Sequence, residues 1–540
     1  MTILAVMSLL GYAMLALVVA LVAFCVAFRV CLRARPSRAS ASATIGFFHP
    51  YCHAGGGGER VLWVAVAGLQ QWARARRIAL EVVVYTGDAE PAEEILGRAK
   101  ERFSVALEGA SAFCRVTFAR IRTRGLLEAV RYPRLTLLGQ SLGSMVCAAE
   151  CLLRAGVDVW VDTTGAAFTL PLAALLGGAR TAAYVHYPTV STDMLNAVAE
   201  RQAAFNNAST IASSPLLTAL KLGYYRAFAA AYGCAGRTAS PRAVMTNSSW
   251  TQDHIAHLWG GAYGAVVYPP CPTEALCAAG AAHASPAQRA RRIVSLAQFR
   301  PEKNHALQLE AFALFRSRHG AAAKGVVLEL MGGVRDAGDE ERFAALKQLA
   351  HAGLGLPPSA VAFTANPSFT YVQGRLATSL AAIHTMAREH FGISCVEAQA
   401  AGCVLIAHDS GGPKTDIVVP AWRPGGREDA LGGRQGAASP AAGKGRAGSK
   451  GRAGRHSPGK QQQQQQQQQQ RSPAPYFTGC LATSVEEYAE ALAAVFEGNR
   501  FDVGRAAQAG RAACERFSEE AFCKGFLEAV APLLEQVAGQ

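Results

Sequence analysis

The sequence predicts an α/β protein in which two facing Rossmann-like domains follow an N-terminal transmembrane helix. Strand-like segments alternate with helix-like segments along most of the chain, a pattern typical of parallel sheets covered by helices on both faces. The pattern occurs twice, before and after a stretch rich in proline and alanine at residues 268–291. Ahead of the first domain, residues 2–28 carry no charged side chain. With 540 residues, 50% of them hydrophobic, the chain is long enough for two separate cores.

The apolar N-terminal segment is long enough to span a bilayer, since about 20 apolar residues suffice in a helix. A cleaved signal peptide would have a basic start and an apolar region of about 7 to 15 residues, and residues 2–28 have neither. Four arginines follow within residues 29–38, and the positive-inside rule places them in the cytoplasm. We therefore expect residues 1–38 to form a single-pass anchor with a basic collar, and the body of the protein to face the cytosol.

The net charge of +14 at pH 7 is unevenly distributed along the chain. Residues 29–38 contain four arginines, and residues 423–475 contain ten lysines and arginines against two acidic residues. The remaining body is close to neutral, which argues against a nucleic-acid partner. The 14 cysteines are scattered through apolar contexts without a CxxC pair, which predicts reduced, buried thiols rather than disulfides or a zinc site.

The first domain is predicted over residues 42–267. Its strands are expected in the apolar segments ATIGFF, LEVVVYTGD, LTLLGQ, VDVWVDT and TAAYVHYP. The glycine-rich run HAGGGGER separates the first of these strands from a helix. Residues 268–291 are rich in proline and small residues and are expected to form an interdomain linker.

The second domain is predicted over residues 292–422, with strands RIVSLAQF, GVVLELMGG, AVAFT and CVLIAHD separated by helices. Residues 423–475 interrupt it with glycine, alanine, lysine, arginine and ten consecutive glutamines. Such a segment cannot bury enough apolar surface to order itself, so a disordered, solvated insertion in a surface loop is expected. Residues 476–540 are expected to complete the second domain and to end in a helix that begins near Ser518.

A run of four glycines, Gly55, Gly56, Gly57 and Gly58, follows the first predicted strand and opens a helix. Consecutive glycines let backbone amides approach a ligand closely, and a helix N-terminus favours an anion or electron-rich oxygens. The spacing matches neither the dinucleotide-binding GxGxxG nor a P-loop with its lysine and hydroxyl residue. A tight turn without a ligand is the alternative that the run by itself leaves open.

The segment GQSLG at 139–143 matches the nucleophile elbow of α/β-hydrolases, with Ser141 at the nucleophile position. His384, His390 and His408 lie downstream, so a membrane-anchored serine hydrolase is an alternative function. A hydrolase would leave the second α/β domain and the paired glutamates, described next, unexplained. A strand-to-helix turn with Ser141 as an N-cap is therefore the preferred interpretation.

Two glutamates, Glu389 and Glu397, flank an apolar run in EHFGISCVEAQAAG, a segment typical of a loop that turns into a buried helix. Carboxylates repel phosphates, so these acids are expected to bind hydroxyl groups of a ligand. If the helix begins near Gly392, its N-terminus can point at a phosphate. The segment therefore predicts a site for a ligand that has both phosphates and hydroxyls.

Two cations and two further glycines are expected at the same cleft. Arg300 and Lys303 follow the first strand of the second domain, in QFRPEKN. Gly411 and Gly412 follow the strand CVLIAHD. Because open α/β sheets bind ligands at the carboxyl ends of their strands, these residues are expected to face one crevice. The pattern predicts that cations and backbone amides hold a diphosphate there while the acids hold hydroxyls.

Together these segments give the chain a specific resemblance to a known family. The motifs are FFHPYCHAGGGGERVLW, RYPRLTLLGQSLGSM, AAYVHYPTVSTDML, MTNSSWTQDHI, VVYPPCPTE, SLAQFRPEKNHALQLEAF and EHFGISCVEAQAAG with HDSGGPKTDIV. The chain resembles the retaining GT-B glycosyltransferases, and among them the endoplasmic-reticulum α-1,2-mannosyltransferases that extend the dolichol-diphosphate-linked N-glycan precursor. The resemblance covers nearly the whole chain outside residues 423–475.

The resemblance implies a GT-B fold and transfer of mannose from GDP-mannose. The implied acceptor is the dolichol-diphosphate-linked trimannosyl oligosaccharide, which receives its fourth and fifth mannoses in α-1,2 linkage on the cytosolic face of the endoplasmic reticulum. Other implied partners are the endoplasmic-reticulum membrane and further early mannosyltransferases, and no nucleic acid. No cofactor is implied, and the site segments contain no DxD-like motif, which predicts that no metal is required.

Residue by residue, the resemblance implies two catalytic groups, His186 near the reacting carbon and Glu389 at the mannosyl end. Glu397 would bind the ribose hydroxyls, and Lys303 would bind the diphosphate. The implied donor-binding set is Arg300, Lys303, Gly332, Gly392, Ile393 and Glu397. The implied donor and acceptor cleft consists of Gly55, Gly56, Gly57, Gly58, Gly411 and Gly412.

One position departs from the family pattern. Gln298 stands five residues before Lys303, where many relatives have arginine, so Arg300 is expected to replace that arginine. No carboxylate is placed as a glycosidase-type nucleophile, so retention is expected from same-face attack, with the departing phosphate oxygen taking the acceptor proton. A noncatalytic scaffold in a mannosyltransferase assembly is the remaining alternative, and the intact set of catalytic and donor-binding residues argues against it.

Overall fold

The structure is a computed structural model of the chain. It describes residues 41–53, 55–201, 209–261, 264–420 and 477–539, together with scattered positions between 16 and 32. Most of the predicted anchor at 1–38 and the whole predicted insertion at 423–475 lie outside the described residues. The anchor and the insertion therefore stay predictions.

The first domain is built on a parallel sheet that is seven-stranded over the described residues. Its strands are β1 (Ala43–Phe48), β2 (Leu80–Thr86), β3 (Cys114–Arg120), β4 (Val159–Asp162), β5 (Arg180–Val185), β6 (Val244–Thr246) and β7 (Ala265–Val266). Its helices are α1 (Gly57–Arg76), α2 (Ala92–Phe103), α3 (Thr136–Arg154), α4 (Thr169–Leu175), α5 (Thr192–Ala199), α6 (Ser209–Ser213), α7 (Pro215–Gly236) and α8 (Ser249–Trp259). The strand order is β3-β2-β1-β4-β5-β6-β7, so the winding reverses beside β1 and opens a crevice at the carboxyl ends of β1 and β4.

The second domain repeats this arrangement with a parallel sheet that is six-stranded over the described residues. Its strands are β8 (Ala290–Leu296), β9 (Val327–Gly332), β10 (Val361–Ala365), β11 (Ser379–His384), β12 (Val404–His408) and β13 (Gly479–Ala482). The remaining helices of the chain are α9 (Thr273–Ala281), α10 (His305–Arg318), α11 (Gly320–Ala323), α12 (Ala337–Gln348), α13 (Phe369–Thr378), α14 (Ile393–Ala400), α15 (Val485–Glu497), α16 (Val503–Ala513) and α17 (Glu519–Ala538). The strand order is β10-β9-β8-β11-β12-β13, which reverses between β8 and β11. The prediction of two Rossmann-like domains is confirmed.

The strand predicted at LTLLGQ is wrong. Residues of this segment form the start of helix α3, and the edge strand of the sheet is β3 instead. A short apolar run is compatible with a buried strand or a helix, and here the run continues to Leu153 without a proline, which favours the helix. Strands β3, β6, β7, β11 and β13 likewise lie outside the predicted strand segments. Strands β6, β7 and β13 have only two to four residues, β11 is rich in small residues, and the seven-residue β3 carries an arginine near each end.

The segment at 268–291, which is expected to be an interdomain linker, joins the last strand of the first sheet to the first strand of the second. It contains helix α9, which packs on the second domain. Gly280 in this helix lies so close to the backbone at Ala401 that a Cβ on Gly280 would be 2.2 Å from the Ala401 carbonyl oxygen. Small residues in this segment therefore serve close helix packing rather than flexibility.

The closing helix expected within residues 476–540 is α17, with Ser518 as its N-cap. Helix α17 lies on the first domain, where Phe526 and Phe47 stack with ring centroids 6.1 Å apart. The Cys271 amide donates to the Phe517 carbonyl at 2.9 Å, so the two places where the chain passes between the domains lie side by side. This hydrogen bond therefore connects the two chain segments that pass from one domain to the other.

One helix among the described residues, α3, is long and apolar enough to cross a membrane by length and composition alone. One side of α3 is buried against the first domain, where Cys147, Cys151 and Leu152 are fully covered. A core helix of a globular domain would give the same result. The predicted N-terminal transmembrane helix stays a prediction.

Candidate active site

A cavity of about 570 Å³ lies between the two domains, beside the carboxyl ends of both sheets. Most residues predicted for the site line it. They are Gly55, Gly56, Gly57, Gly58, His186, Lys303, Gly332, Glu389, Gly392, Ile393 and Glu397. The cavity is therefore the cleft that the sequence predicts.

Arg300 is the first of three predicted site residues that the structure places elsewhere. It does not line the cavity; its guanidinium lies 3.9 Å from the Glu302 carboxylate, and its side chain is 40% exposed. The chain forms a 3₁₀ turn at Pro301–Lys303, and Arg300 precedes the turn in an extended conformation with φ −114° and ψ 156°. Lys303 faces the cavity, and Arg300 lies outside it. Gln298 lines the cavity itself at the position where many relatives have arginine.

Gly411 and Gly412 lie behind the loop that carries Glu389 rather than on the cavity wall. A Cβ on Gly411, which has φ +61°, would be 2.3 Å from the Glu389 carbonyl oxygen. The Gly412 amide donates to that same oxygen at 2.8 Å. These glycines therefore shape the Glu389 loop by close approach, because a side chain at Gly411 would meet the loop backbone.

The glycine run of the first domain packs across the cleft against helix α14. A Cβ on Gly57 would lie 2.9 Å from Ile393 Cδ1, so a side chain there would require the Ile393 side chain to shift. Gly55 has φ +81°, a conformation that favours glycine. The Gly56 amide donates to the Glu59 carboxylate at 2.8 Å, so part of the helix N-terminus is capped from within the chain. The glycine run therefore allows the two domains to pack closely, and this role is more direct than anion binding.

Glu389 contacts two cations. Its Oε2 atom is 2.5 Å from Lys303 Nζ and 3.1 Å from His384 Nε2. Burial alone would raise the pKa of the Glu389 carboxyl, but the hydrogen bond with His384 and the charge of Lys303 hold this pKa well below its usual range. Burial alone would lower the pKa of His384, and contacts with Cys395 and Glu389 raise it to about 10. Lys303 and His384 therefore both stabilise the ionised carboxylate of Glu389 at the cavity.

Glu397 lies one turn into helix α14, where it faces the cavity. Burial raises the pKa of its carboxyl to about 7, and the charges of Arg60 and Arg102 act in the opposite direction. Both arginines come from the first domain and line the same cavity. Arg60 also pairs with Glu519 at the start of α17. A ligand that donates hydroxyl hydrogen bonds to Glu397 would favour its ionised form, so this acid is suited to binding a diol.

His186 follows β5 and presents a neutral imidazole to the cavity. Burial and the neighbouring His390 lower its pKa to about 4, against the effect of a backbone hydrogen bond with Thr163. Its Nε2 atom is buried and has no hydrogen-bond partner in the described part of the chain. A Cβ on Gly58 would be 3.8 Å from this atom, in ordinary van der Waals contact with it. The Nε2 atom can therefore exchange a hydrogen bond with a ligand hydroxyl.

Three rings, which we call the aromatic clamp, stack across the domain boundary: Tyr187 and Trp250 from the first domain and His390 from the second. The His390 ring lies 4.0 Å from Tyr187 and 5.6 Å from Trp250 by centroids, with interplanar angles of 14° and 7°. The Ser248 hydroxyl also donates to the His390 carbonyl at 2.6 Å. Because His390 directly follows Glu389, the clamp holds the Glu389 loop from the opposite domain.

Comparisons with known proteins identify the family. Residues 42–259 match a family model described as ALG11 mannosyltransferase N-terminus, and residues 283–420 match one described as glycosyl transferases group 1. The chain is 45% identical over 379 residues to the GDP-Man:Man(3)GlcNAc(2)-PP-Dol alpha-1,2-mannosyltransferase of Xenopus laevis, which covers 70% of this chain and 75% of that protein. The protein of the same name from Dictyostelium discoideum is 35% identical over 499 residues, 91% of this chain and 85% of that protein. The chain belongs to this α-1,2-mannosyltransferase family.

Family membership makes the chain a glycosyltransferase, and solved structures agree on the fold. The α,α-trehalose 6-phosphate synthase of Burkholderia multivorans superimposes with a TM-score of 0.56 at 10% identity, covering 92% of this chain and 99% of that one. The Anabaena protein HepE, solved with UDP and glucose, gives a TM-score of 0.51 at 14% identity, covering 91% of this chain and 99% of that one. At such low identity these structures support the GT-B architecture alone.

The serine hydrolase alternative does not fit this glycosyltransferase. Ser141 lies inside helix α3, so the strand-to-helix turn that a nucleophile elbow needs is absent. The histidines proposed as its partners are engaged elsewhere: His384 contacts Glu389, His390 belongs to the aromatic clamp, and His408 Nδ1 lies 2.8 Å from the Ser410 hydroxyl. The expected N-cap role of Ser141 is also wrong, because the helix begins five residues earlier.

Sequence reasoning missed several residues at the site. Arg60 lies in the run HAGGGGER, Tyr187 in the motif AAYVHYPTVSTDML and Trp250 in the motif MTNSSWTQDHI. The sequence therefore identified the segments that contain these residues, but it did not indicate what the three residues do. Arg102 and the contact of His384 with Glu389 had no local signal. Among the described residues, no group of three or more histidine, cysteine, aspartate or glutamate side chains is arranged to hold a metal ion.

Proposed function

We propose that this glycosyltransferase transfers mannose from GDP-mannose in α-1,2 linkage to the dolichol-diphosphate-linked trimannosyl N-glycan precursor, adding the fourth and fifth mannoses in succession with retention. The reaction takes place on the cytosolic face of the endoplasmic reticulum, from a single-pass membrane protein. The observation that carries the proposal is the contact of Glu389 with Lys303 and His384 in a cleft that His186 faces from the other domain. The names of the relatives supply the donor and the acceptor.

The donor pose follows from charge. Glu397 binds the ribose hydroxyls, and four residues of helix, about 6 Å at about 1.5 Å per residue, separate it from the N-terminus of α14 at Ile393. That N-terminus points its free amides at the diphosphate. Lys303 exchanges part of its contact with Glu389 for a phosphate oxygen, while His384 keeps its contact with Glu389. The charge that develops on departing GDP is thereby compensated by residues of the chain, and no metal is required.

The mannosyl group lies between Glu389 and His186. The ionised Glu389 accepts hydrogen bonds from sugar hydroxyls, and the unpaired Nε2 of His186 meets the sugar from the first domain. The acceptor hydroxyl attacks the anomeric carbon on the face from which GDP departs. The new carbon–oxygen bond forms as the bond to the phosphate oxygen breaks, and that oxygen takes the acceptor proton, which retains the α configuration.

Purified protein, GDP-mannose and a synthetic lipid-linked trimannosyl acceptor test the proposal. Products with one and then two added mannoses are expected, both sensitive to an α-1,2-mannosidase, and a chelator should not change the rate. Glu389→Ala should lower turnover by about 100-fold or more, because it removes a group that acts at the reacting sugar. Glu302→Ala is the matched control, since Glu302 is a half-exposed glutamate on the neighbouring turn.

Two results would contradict this proposal. One is the absence of transfer to the trimannosyl acceptor under conditions where the donor binds. The other is a trapped mannosyl adduct on Glu389, which would replace same-face attack by a double displacement. Protease protection in sealed endoplasmic-reticulum vesicles tests the orientation, and co-purification tests the predicted association with other early mannosyltransferases.

A further inference from the structure

Helix α3 exposes an apolar stripe on the side that faces away from the domain core. Leu138, Leu142 and Val146 follow one another at intervals of four residues and are 41%, 53% and 48% exposed. The opposite side of the helix is buried through residues such as Cys147 and Cys151. Residues 136–149 contain no charged side chain, so solvent meets more than three turns of uncharged helix.

The exposed stripe continues onto neighbouring segments. Val130 and Leu135 extend it in the loop before α3, and three leucines extend it at the start of α7. The Leu138 amide donates to the Tyr224 hydroxyl at 3.1 Å, which joins the two helices. We call this surface the apolar face; it consists of Val130, Leu135, Leu138, Leu142, Val146, Leu216, Leu217 and Leu220. A soluble domain rarely exposes so many large apolar side chains together, which marks an interaction surface.

The chemistry around the apolar face indicates a lipid bilayer as its partner. Phe28, at the end of the uncharged N-terminal segment, is buried in the same cluster as Cys147 and Phe228, so that segment meets the domain beside α3 and α7. Arg131 and Arg134 are exposed next to the face. Amphipathic surfaces that carry apolar residues with basic residues at the margin bind membranes that contain anionic lipids.

We propose that the apolar face docks on a bilayer surface with anionic lipids and forms a second membrane contact beside the N-terminal segment. Helix α3 begins at the carboxyl edge of the first sheet, the edge where the cavity lies. The Tyr51 hydroxyl donates to Glu128 at 2.6 Å and so ties the loop before α3 to the chain that leads into the glycine run. Docking therefore fixes the distance and tilt of the cleft relative to the bilayer. The benefit for a lipid-linked acceptor rests on the proposed function, whereas the docking itself does not.

Photolabelling tests the docking directly. The full chain is reconstituted in vesicles of phosphatidylcholine, alone or mixed with phosphatidylserine, that contain a phospholipid with a photoreactive acyl chain. We expect labelled peptides from residues 130–146 and 216–220 in addition to residues 2–28, with stronger labelling when phosphatidylserine is present. Labelling confined to residues 2–28 would overturn the proposal. Cross-links that join residues 130–146 of two copies, without lipid labelling there, would also overturn it and assign the face to a protein contact.

A pair of matched variants tests the consequence for catalysis. Leu138→Glu with Leu142→Glu places two charges on the apolar face, and Leu175→Glu with Val419→Glu places two charges at exposed apolar residues outside it, at 66% and 38% exposure. The first variant should transfer mannose to a membrane-embedded acceptor on the order of tenfold more slowly than the second. Both should match the unmodified protein on a short-chain, water-soluble acceptor.

Equal rates for the two variants on the membrane-embedded acceptor would contradict the docking. A loss on the soluble acceptor as well would show damage to the fold rather than to membrane contact, and the photolabelling of that variant would then decide the matter. If the unmodified protein transfers mannose to neither acceptor, the proposed function fails, while the labelling still tests the docking.

Discussion

Replacing Trp250 with leucine should lower kcat and raise KM for the donor, because Glu389 both binds the mannosyl group and acts at the reacting sugar. The substitution removes two ring pairs of the aromatic clamp, Trp250 with His390 at 5.6 Å and Trp250 with Tyr187 at 5.9 Å. Each such pair contributes about 0.5–1.5 kcal/mol, so about 1–3 kcal/mol that holds the Glu389 loop is lost. If that energy is needed only to keep Glu389 at the sugar, kcat/KM should fall by about 5- to 150-fold.

Steady-state kinetics with GDP-mannose measure this effect. Trp250→Phe is the control, since it keeps an aromatic ring in the clamp and should retain most of the activity. His390→Phe should behave in the same way, whereas His390→Ala should resemble Trp250→Leu. A rise in KM at constant kcat, or equal losses in Trp250→Leu and Trp250→Phe, would refute the idea that the clamp positions the Glu389 loop.

Three further predictions follow from the site and its surroundings. Glu397→Gln should raise the free energy of unfolding of the ligand-free protein by up to about 3 kcal/mol above pH 7. Burial raises the pKa of the Glu397 carboxyl to about 7, so ionising it in the folded protein costs stability that glutamine does not lose. In denaturant titrations, this gain should disappear as the pH falls through 7 to below about 4.5. Gly411→Ala should lower kcat about tenfold or more, because the added Cβ would lie 2.3 Å from the Glu389 carbonyl oxygen. Gly498→Ala is the control: Gly498 has a similar φ of +66° but no neighbour within 4 Å of an added Cβ, so this variant should lose stability only. Deleting residues 423–475 should leave kcat within about twofold, since loops tolerate length changes well.

Most of the residues predicted for the site lie on the cavity wall. Gly57 and Lys303 each follow a predicted strand, and a parallel sheet brings the carboxyl ends of its strands to one edge, so their positions at the cleft follow from chain position. Arg300 lies off the cavity wall because it is in extended backbone before the turn that carries Lys303, a local conformation that the sequence pattern did not reveal. The strand predicted at LTLLGQ failed because a short apolar run does not distinguish strand from helix.

Contacts between distant parts of the chain could not be predicted from local patterns. The Ser248 hydroxyl and the His390 carbonyl are 142 residues apart in sequence, and the Arg60 and Glu519 side chains are 459 apart. Such pairs depend on how the two domains face one another and on the return of α17 to the first domain. The electrostatic roles of His384 and Glu397 were hidden for the same reason, because burial and neighbouring charges are properties of the assembled cleft.

Calorimetric binding of GDP and of GDP-mannose to Glu389→Gln tests most directly whether this acid holds only the sugar while cations and backbone amides hold the phosphates. The account predicts that the substitution weakens GDP-mannose by about tenfold or more and does not weaken GDP, because Lys303 loses its carboxylate partner and remains free for phosphate. An equal loss of affinity for both ligands would contradict the account, since it would place Glu389 at the nucleotide rather than at the mannose.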